Sequence, residues 1–336
     1  PSEADHLFRI LHNLKDQGKT IILITHKLRE IMSATDTVSV MRRGEMTATG
    51  KTAETSPPKL AELMVGRKVL LRVDKKPAKP GAVAMQVRDL RVRDDAGVDR
   101  LKGISFDVRA GEILGIAGVA GNGQSELLEV LGGITPATGE VLAHGKALDI
   151  THGTVGQSRR RHGISHVPED RQHLGLIMNF MAWENLCFGY HNDPKFQKNA
   201  LMMDNAAIMA DSVAKMQDFD VRPPNPGLLA QSFSGGNQQK IVLAREISRN
   251  PEILLVGQPT RGVDIGAIEF IHQSIVKLRD AGKAILLVSV DLDEILSLSD
   301  RVAVMFDGHI QGERITAETN ERELGLMMAG MSGEAA

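Results

Sequence analysis

The residues with the clearest capacity for chemistry form a glycine-rich loop. Gly118, Gly121 and Gly123 are followed by Gln124 and Ser125, after an apolar segment and before a run that favours a helix. In such a context, glycines let backbone N–H groups approach phosphate oxygens, and the helix N-terminus adds partial positive charge. The motif Gly-x4-Gly-Lys-Ser/Thr is matched except at its lysine, which Gln124 replaces. The pattern predicts a phosphate-binding loop with one defect, and an ordinary glycine turn is the alternative.

A second group of small and polar residues precedes another helical run. Residues 234–237, Ser-Gly-Gly-Asn, stand before the sequence Gln-Gln-Lys-Ile-Val-Leu-Ala-Arg. A serine hydroxyl and glycine N–H groups at a helix N-terminus donate hydrogen bonds to an oxyanion, and glycine permits close approach. Farther along, an apolar segment leads into Gly257 and Gln258 and then into Pro-Thr-Arg-Gly-Val-Asp264. These segments are therefore candidates for binding the same kind of anion as the loop.

The order and spacing of these motifs throughout residues 83–330 resemble the ATP-binding cassette (ABC) ATPases, and residues 234–238 resemble their signature motif. The resemblance implies an α/β P-loop NTPase fold: a mixed sheet flanked by helices, with an antiparallel β part and an inserted helical subdomain at about 172–248. It also implies ATP and Mg²⁺ as cofactors, with Ser125 as a Mg²⁺ ligand. The implied nucleotide-binding residues are Gly118, Gly121, Asn122, Gly123, Gln124, Ser125, Glu169, Ser234, Gly235, Gly236, Asn237 and Asp264.

Several positions depart from the family pattern. Family cassettes end the catalytic strand in Asp, which holds a Mg²⁺-bound water, and Glu, which polarises the attacking water; Gly257 and Gln258 stand there. The switch histidine aligns with Val290, the switch glutamine with Glu169, and no aromatic residue occurs between residues 85 and 101 to stack on adenine. A general base contributes about 10²–10⁴-fold and a fixed charge-stabilising donor about 10²–10³-fold. We therefore expect impaired hydrolysis at this cassette's own site.

An internal repeat determines the predicted domain organisation. Residues 1–66 align without a gap to residues 265–330, so that Ile31 matches Ile295 and His26 matches Val290. Each copy reads as an amphipathic helix, a glycine turn, a short apolar strand, a helix and a hairpin. We predict that residues 1–66 are the C-terminal remnant of an upstream cassette, with His26 as its switch histidine. Residues 67–82 read as an extended, solvated linker, and residues 83–336 as a second, complete cassette.

The motif combination looks like the fused double ATPases of bacterial simple-sugar and nucleoside importers. The losses at Gln124, Gly257 and Gln258 are more typical of the nucleoside group. The resemblance implies a peripheral protein on the cytoplasmic face of the bacterial inner membrane. Its implied partners are the transmembrane permease subunits, the upstream cassette and, indirectly, an external substrate-binding protein. In the implied site, Ser234 and its neighbours act on ATP held by the upstream cassette.

Two other classes of protein are also compatible with the sequence. One is a regulatory nucleotide-binding module without hydrolysis, and the other is a soluble ABC ATPase of translation or DNA repair. The net charge of −2 argues against a nucleic-acid partner, because no broad basic field is indicated. The arginine triplet at 159–161 is then expected to be a solvated helix end. The permease contact is expected in residues 172–248, around Leu174, Met178, Phe180, Met181 and Trp183.

Overall fold

The structure is a computed structural model that describes residues 2–42, 44–69, 73–153, 155–199 and 202–331. The chain folds into two compact units. One comprises Pro1–Val73 and Asp264–Phe270, and the other Asp74–Val263 and Ile271–Ala336. Of the predicted linker at 67–82, residues 70–72 lie outside the described part. Lys75 in that linker is half-buried rather than solvated, because its Nζ donates a hydrogen bond to Leu298 O at 2.8 Å.

Within its described residues 2–69, the first unit contains three α-helices and one hairpin. In chain order these are α1 (Ser2–Asp16), α2 (Leu28–Ala34), β1 (Thr37–Arg42), β2 (Glu45–Lys51) and α3 (Pro57–Val65). A small apolar core joins Ile31, Val40 and Leu60. Pro at the first turn of α3 and Gly66 in the left-handed region at its end are the usual signals for the start and stop of a helix.

The apolar segment at residues 21–25 does not form the strand that the repeat predicts. Ile22 is 87% exposed and Ile24 is 94% exposed, and residues 18–27 have no strand assignment. A parallel strand needs neighbours that accept and donate its backbone hydrogen bonds and cover its side chains. The described part of the first unit offers only the short β1–β2 hairpin. The strand that the repeat predicts is therefore not formed in this structure, where its neighbouring strands are missing.

Among its described residues, the second unit contains a four-stranded sheet, a six-stranded sheet, a two-stranded hairpin and the surrounding helices. A four-stranded antiparallel sheet has the order β4-β3-β6-β7, and a six-stranded sheet has the order β14-β13-β5-β12-β11-β8. In the latter, β14 is antiparallel to β13 and the other pairs are parallel. The strands are β3 (Val83–Arg93), β4 (Asp99–Arg109), β5 (Ile113–Ala117), β6 (Thr138–Ala143), β7 (Lys146–Ala147), β8 (Ile164–Val167), β9 (Gln197–Asn199), β10 (Met202–Met203), β11 (Ile253–Gly257), β12 (Ala284–Ser289), β13 (Arg301–Phe306) and β14 (His309–Ile315).

The helices of the chain after α3 are α4 (Gln124–Gly132), α5 (Gly156–Arg161), α6 (Ala182–Cys187), α7 (Asn205–Asp218), α8 (Gly235–Ile247), α9 (Ile265–Asp280), α10 (Leu292–Leu298) and α11 (Glu321–Met328). Strands β5, β11 and β12 are buried along their whole length, which explains their continuous apolar sequences. The predicted α/β P-loop fold, with a mixed sheet, helices and an antiparallel β part, is confirmed. Helices α6, α7 and α8 and the β9–β10 hairpin lie within the region predicted as the helical subdomain.

The arginine triplet in α5 is not uniformly solvated. Arg159 is only 2% exposed, and its guanidinium donates to Leu131 O at 3.0 Å and to Asp149 O at 2.7 Å. The prediction of a solvated helix end is therefore wrong for Arg159, which ties the end of α4 to the loop after β7. Among the described residues, no helix is long and apolar enough to cross a bilayer.

Candidate functional site

The glycine-rich loop connects β5 to α4 and has the backbone that phosphate binding requires. Gly121 and Gly123 have φ angles of 91° and 103°, in the region that favours glycine. A Cβ at Gly123 would lie 2.7 Å from Arg100 O, so the loop also passes too close to another strand for a side chain there. Helix α4 has nine residues and begins at Gln124. Its first N–H groups lack intrahelical acceptors and therefore point toward the space in front of the loop.

Two predicted site residues hold the loop rather than extend from it. Gln124 is buried, and its Nε2 donates to Val119 O at 3.1 Å. Asn122 Oδ1 accepts a hydrogen bond from Asp307 N at 3.0 Å, which fastens the loop to the β13–β14 turn. Gln124 thus replaces the charge of a lysine with a neutral bond inside the loop. The arrangement retains backbone amides for a phosphate group and loses a mobile cation.

Ser125 and Glu169 meet beside the loop. Ser125 Oγ donates a hydrogen bond to Glu169 Oε2 at 2.6 Å, and Ser125 is exposed at the first turn of α4. Burial raises the pKa of Glu169, against the opposing effects of the Ser125 hydrogen bond and the positive charge of Arg261. Hydroxyl and carboxylate oxygens are the donors that Mg²⁺ prefers. Both residues therefore fit a nucleotide-bound magnesium ion.

The end of β11 carries a glycine and a glutamine. Gly257 closes the strand, and Gln258 follows with a φ of 46°. The Gln258 N–H donates to Val288 O at 2.8 Å, and Gln258 Oε1 accepts from Val290 N at 3.5 Å. The Val290 side chain at the switch position is exposed. These residues lie together, and an amide and an alkyl group cannot take up a proton from water at neutral pH.

The signature residues stand at the start of α8 with the serine hydroxyl held from behind. Ser234 occupies the N-cap position but makes no side-chain capping bond. Asn237 Nδ2 donates to Ser234 Oγ at 2.9 Å, while Asn237 Oδ1 accepts from Arg222 N at 2.7 Å. The backbone donor identifies the amide oxygen of Asn237, so its NH₂ group faces Ser234. The Ser234 hydroxyl hydrogen therefore points away from Asn237 and is available to an acceptor in front of the helix.

Arg171 is a residue whose position the motif spacing alone did not reveal. Its Nη1 donates to Arg261 O at 2.7 Å, and a Cβ at Gly235 would lie 2.6 Å from its Nη2. Arg171 thus joins the segment after β8, the loop after β11 and the start of α8. Its place directly after Glu169 and Asp170 in the sequence indicated that Arg171 lies near the site. Its contacts could not be predicted, because the residues that it contacts lie far away along the chain.

A buried polar cluster that the sequence did not predict links the loop after β11 to α9 and α10. Glu294 Oε1 accepts a hydrogen bond from Thr260 Oγ1 at 2.8 Å and lies 3.0 Å from His272 Nε2. Glu294 and His272 are both buried. Glu30, which aligns with Glu294 in the repeat, also accepts a hydrogen bond from a threonine, Thr25 Oγ1, at 2.5 Å. The two threonines are not equivalent, because Thr25 aligns with Ser289 and Thr260 precedes the second copy.

His26 and Asp264 lie in the first unit. The structure leaves His26 exposed in the segment before α2. Asp264 Oδ1 accepts a hydrogen bond from Ala267 N at 2.9 Å, which caps the start of α9. This hydrogen bond of the Asp264 side chain therefore stabilises the helix.

Comparison with known proteins agrees with this fold and these motifs. Residues 101–261 match the family described as ABC transporter. The dimeric structure of a bacterial ABC transporter cassette aligns with a TM-score of 0.60 and 24% identity, covering 69% of this chain and 98% of that chain. A nucleotide-free ATP-binding cassette from an ABC transporter aligns with a TM-score of 0.58 and 23% identity, covering 70% and 92%. Residues 101–261 therefore lie in a domain with the fold of ABC transporter ATP-binding cassettes.

Curated relatives show which kind of ABC transporter protein the chain resembles. The nucleoside import ATP-binding protein NupA of Lactococcus lactis is 44% identical over 98% of this chain. The guanosine import ATP-binding protein NupO of Bacillus subtilis is 43% identical, and a ribose import ATP-binding protein of Clostridium perfringens is 32% identical, each over 98% of the chain. The chain is thus homologous to nucleoside and sugar import ATP-binding proteins. It spans 65%, 64% and 64% of the lengths of these three relatives.

Proposed function

We propose that the chain is part of an ATP-binding subunit that couples ATP binding and hydrolysis to import of a nucleoside or simple sugar. The identity of 44% and 43% to proteins named for nucleoside and guanosine import, against 32% to a ribose import protein, favours a nucleoside. On this proposal the subunit lies at the cytoplasmic face of a bacterial membrane and binds two permease subunits. An external substrate-binding protein delivers the substrate to them.

Exposed apolar side chains support the location of the permease contact. Leu174, Phe180 and Met181 are 47%, 38% and 40% exposed, and all three precede or begin α6. Apolar and methionine side chains at a surface suit an adaptable protein–protein contact. We propose that this segment docks the permease.

The observation that carries the double-cassette proposal is the structural repeat. Helices α1, α2 and α3 and the β1–β2 hairpin occupy the same sequence positions as α9, α10, α11 and the β13–β14 hairpin, shifted by 264 residues. Even the irregularity in the hairpin is repeated, between Val40 and Met41 and again between Val304 and Met305. In the second copy this element completes a cassette. We propose that the first copy completes an upstream cassette in the same way, whose sheet would cover Ile22 and Ile24.

The two nucleotide sites of such a protein would then be unequal. The site at residues 118–125 retains the phosphate-binding backbone but has Gln124, Gly257, Gln258 and Val290 where charged or titratable groups are expected. We propose that it holds nucleotide without appreciable hydrolysis. The upstream site would use His26 from its own side and the Ser234 hydroxyl and the N–H groups of Gly235 and Gly236 from this cassette.

The repeat supplies a matched pair of variants for testing this division of labour. In the full-length protein assembled with its permease, His26→Ala should lower steady-state ATP hydrolysis by about 10²-fold or more, the usual effect of losing a charge-stabilising donor. Val290→Ala, at the equivalent position of the other copy, should leave hydrolysis and uptake of labelled nucleoside nearly unchanged. Equal losses in both variants, or a loss only in Val290→Ala, would show that the hydrolytic site has been assigned to the wrong half.

A further inference from the structure

A buried cluster holds the loop that follows β11 (residues 259–263). Glu294 Oε1 accepts a hydrogen bond from Thr260 Oγ1 at 2.8 Å and lies 3.0 Å from His272 Nε2. Because a carboxylate oxygen only accepts, His272 Nε2 donates the second bond. The side chain of Glu294 is 4% exposed and that of His272 is 10% exposed, so the two donors replace hydration that the carboxylate has lost. We call Thr260, Glu294 and His272 the Thr260 cluster.

The same loop contacts the start of α8. A Cβ built on Gly235 would lie 3.0 Å from Gly262 O and 2.6 Å from Arg171 Nη2, so this end of the helix lies directly against the loop. Arg171 completes the contact, because its Nη1 donates a hydrogen bond to Arg261 O at 2.7 Å. The loop therefore supports Gly235, the residue that follows Ser234.

The Thr260 cluster and the contact with α8 belong to one tight turn. The N–H of Val263 donates to Thr260 O at 3.3 Å, and Gly262, at the third position of the turn, has a φ of 65°, as glycine allows there. A turn closed by this bond has little freedom to deform between its ends. A displacement of the Thr260 side chain should therefore also move the Gly262 carbonyl that lies against Gly235.

We propose that the Thr260 cluster positions the Ser234 hydroxyl, because the cluster fixes the turn at 260–263 and the turn fixes the start of α8. This inference rests on the proposed function, in which Ser234 donates to ATP held by the upstream cassette. The members of the cluster act through the turn and are positioning residues. A displacement of about 1 Å at a reacting group can cost about 10²-fold in rate, so a support that lies two contacts away from the hydroxyl can affect turnover.

The repeat helps to separate this role from a requirement of the fold. Glu294 aligns with Glu30, so both copies carry the glutamate, but the residue that aligns with His272 is Phe8. Phe8 is 8% exposed, so an apolar ring fills the equivalent place in the first copy. The fold therefore accepts a ring without a donor at this position. The second donor to the glutamate is found in the cassette that contains Ser234.

Steady-state kinetics of the full-length protein with its permease test the inference. Thr260→Val removes the donor and nearly keeps the shape of the side chain, so kcat should fall by about 10-fold, less than a 1 Å misplacement would cost, with little change in KM. Thr260→Ser keeps the hydroxyl and should retain most of kcat. His272→Phe introduces the residue of the first copy and should also lower kcat.

Tyr190→Phe is the matched control for the loss of one hydrogen bond to a glutamate. Tyr190 Oη donates to Glu246 Oε2 at 2.7 Å, and neither residue belongs to the Thr260 cluster or to the loop after β11. This variant should leave kcat nearly unchanged. Hydrogen exchange on the 336-residue chain gives a second readout that requires no turnover. Residues 235–238 and 259–263 should exchange faster in Thr260→Val and His272→Phe, but not in Tyr190→Phe.

A double-mutant cycle separates positioning from a general loss of stability. If the cluster acts through the Ser234 hydroxyl, the double variant Ser234→Ala with Thr260→Val should be no slower than Ser234→Ala alone, because the group to be positioned is already absent. Losses that multiply in the double variant, or a kcat in Thr260→Val equal to that of Tyr190→Phe, would overturn the inference and leave the role of Ser234 intact. An unchanged kcat in Ser234→Ala would instead refute the proposed function of Ser234, and the inference with it.

Discussion

The repeat allows a large aliphatic side chain to be shortened to alanine at two equivalent positions, one exposed and one buried. Ile22 in the first copy corresponds to Leu286 in the second, because the copies are offset by 264 residues. Ile22 is 87% exposed, whereas Leu286 is 0% exposed within β12. If a sheet of an upstream cassette normally covers the first copy, the same substitution must have different costs in the chain alone and in the full-length protein. The pair therefore tests the double-cassette proposal through stability rather than activity.

The magnitudes follow from burial. Leu286→Ala should lower the free energy of unfolding of the second unit by about 2–5 kcal/mol, because it removes fully packed methyl and methylene groups and leaves a cavity. At about 2–4 °C per kcal/mol for a unit of this size, the midpoint should fall by roughly 4–20 °C. Ile22→Ala in the 336-residue chain should change stability by no more than about 0.5 kcal/mol. In the full-length protein, its cost should rise to the range expected for Leu286→Ala.

Two optical probes separate the units. Trp183 is the one tryptophan of the chain and lies in the second unit, so its fluorescence reports the effect of Leu286→Ala. Far-ultraviolet circular dichroism during urea denaturation follows both units. A cost of about 2 kcal/mol or more for Ile22→Ala in the 336-residue chain, the usual cost of emptying a packed site, would mean that this side chain is already covered. No added cost in the full-length protein would mean that no upstream sheet covers it.

Two further measurements address single contacts. Asn237→Asp should keep the hydrogen bond from Arg222 N but turn the Ser234 hydroxyl toward the new carboxylate. The kcat of the full-length protein should therefore fall by about 10²-fold with little change in KM. The control Gln258→Ala should leave kcat nearly unchanged, and comparable losses in both variants would contradict the assigned role of Ser234. Burial and the adjacent charge of Glu246 raise the pKa of Tyr190 to about 12, so the folded state holds this proton more tightly than the unfolded state does. Its contribution to stability should be complete below about pH 10 and decline between about pH 10 and 12, which denaturation at several pH values would reveal as a slope that Tyr190→Phe reduces; an equal slope in both proteins would refute this assignment.

Local chemistry made much of this protein predictable from its sequence. Gly121 and Gly123 predict a loop with positive φ angles, and the fully apolar runs of β5, β11 and β12 predict strands buried on both faces. Because the two copies align without a gap, the helix and hairpin boundaries in one copy also predict those in the other. These features depend on neighbours within a few residues, so the order of residue types is sufficient to determine them. The phosphate loop, the signature motif and the class of fold all followed from such signals.

Contacts between distant segments were decided only by the tertiary structure. The sequence predicted a strand at residues 21–25, but a strand exists only where other strands pair with it, and Ile22 remains exposed. It predicted a solvated Arg159, but carbonyl groups of two separate segments surround that guanidinium. The sequence showed that Gly257 replaces the aspartate of the family and that Glu169 replaces its glutamine. It gave no reason to connect the two positions. Only the pairing of β8 with β11 brings the two positions together, so that a Cβ on Gly257 would lie 2.5 Å from Glu169 Cγ. That proximity arises from the fold and not from separation along the chain.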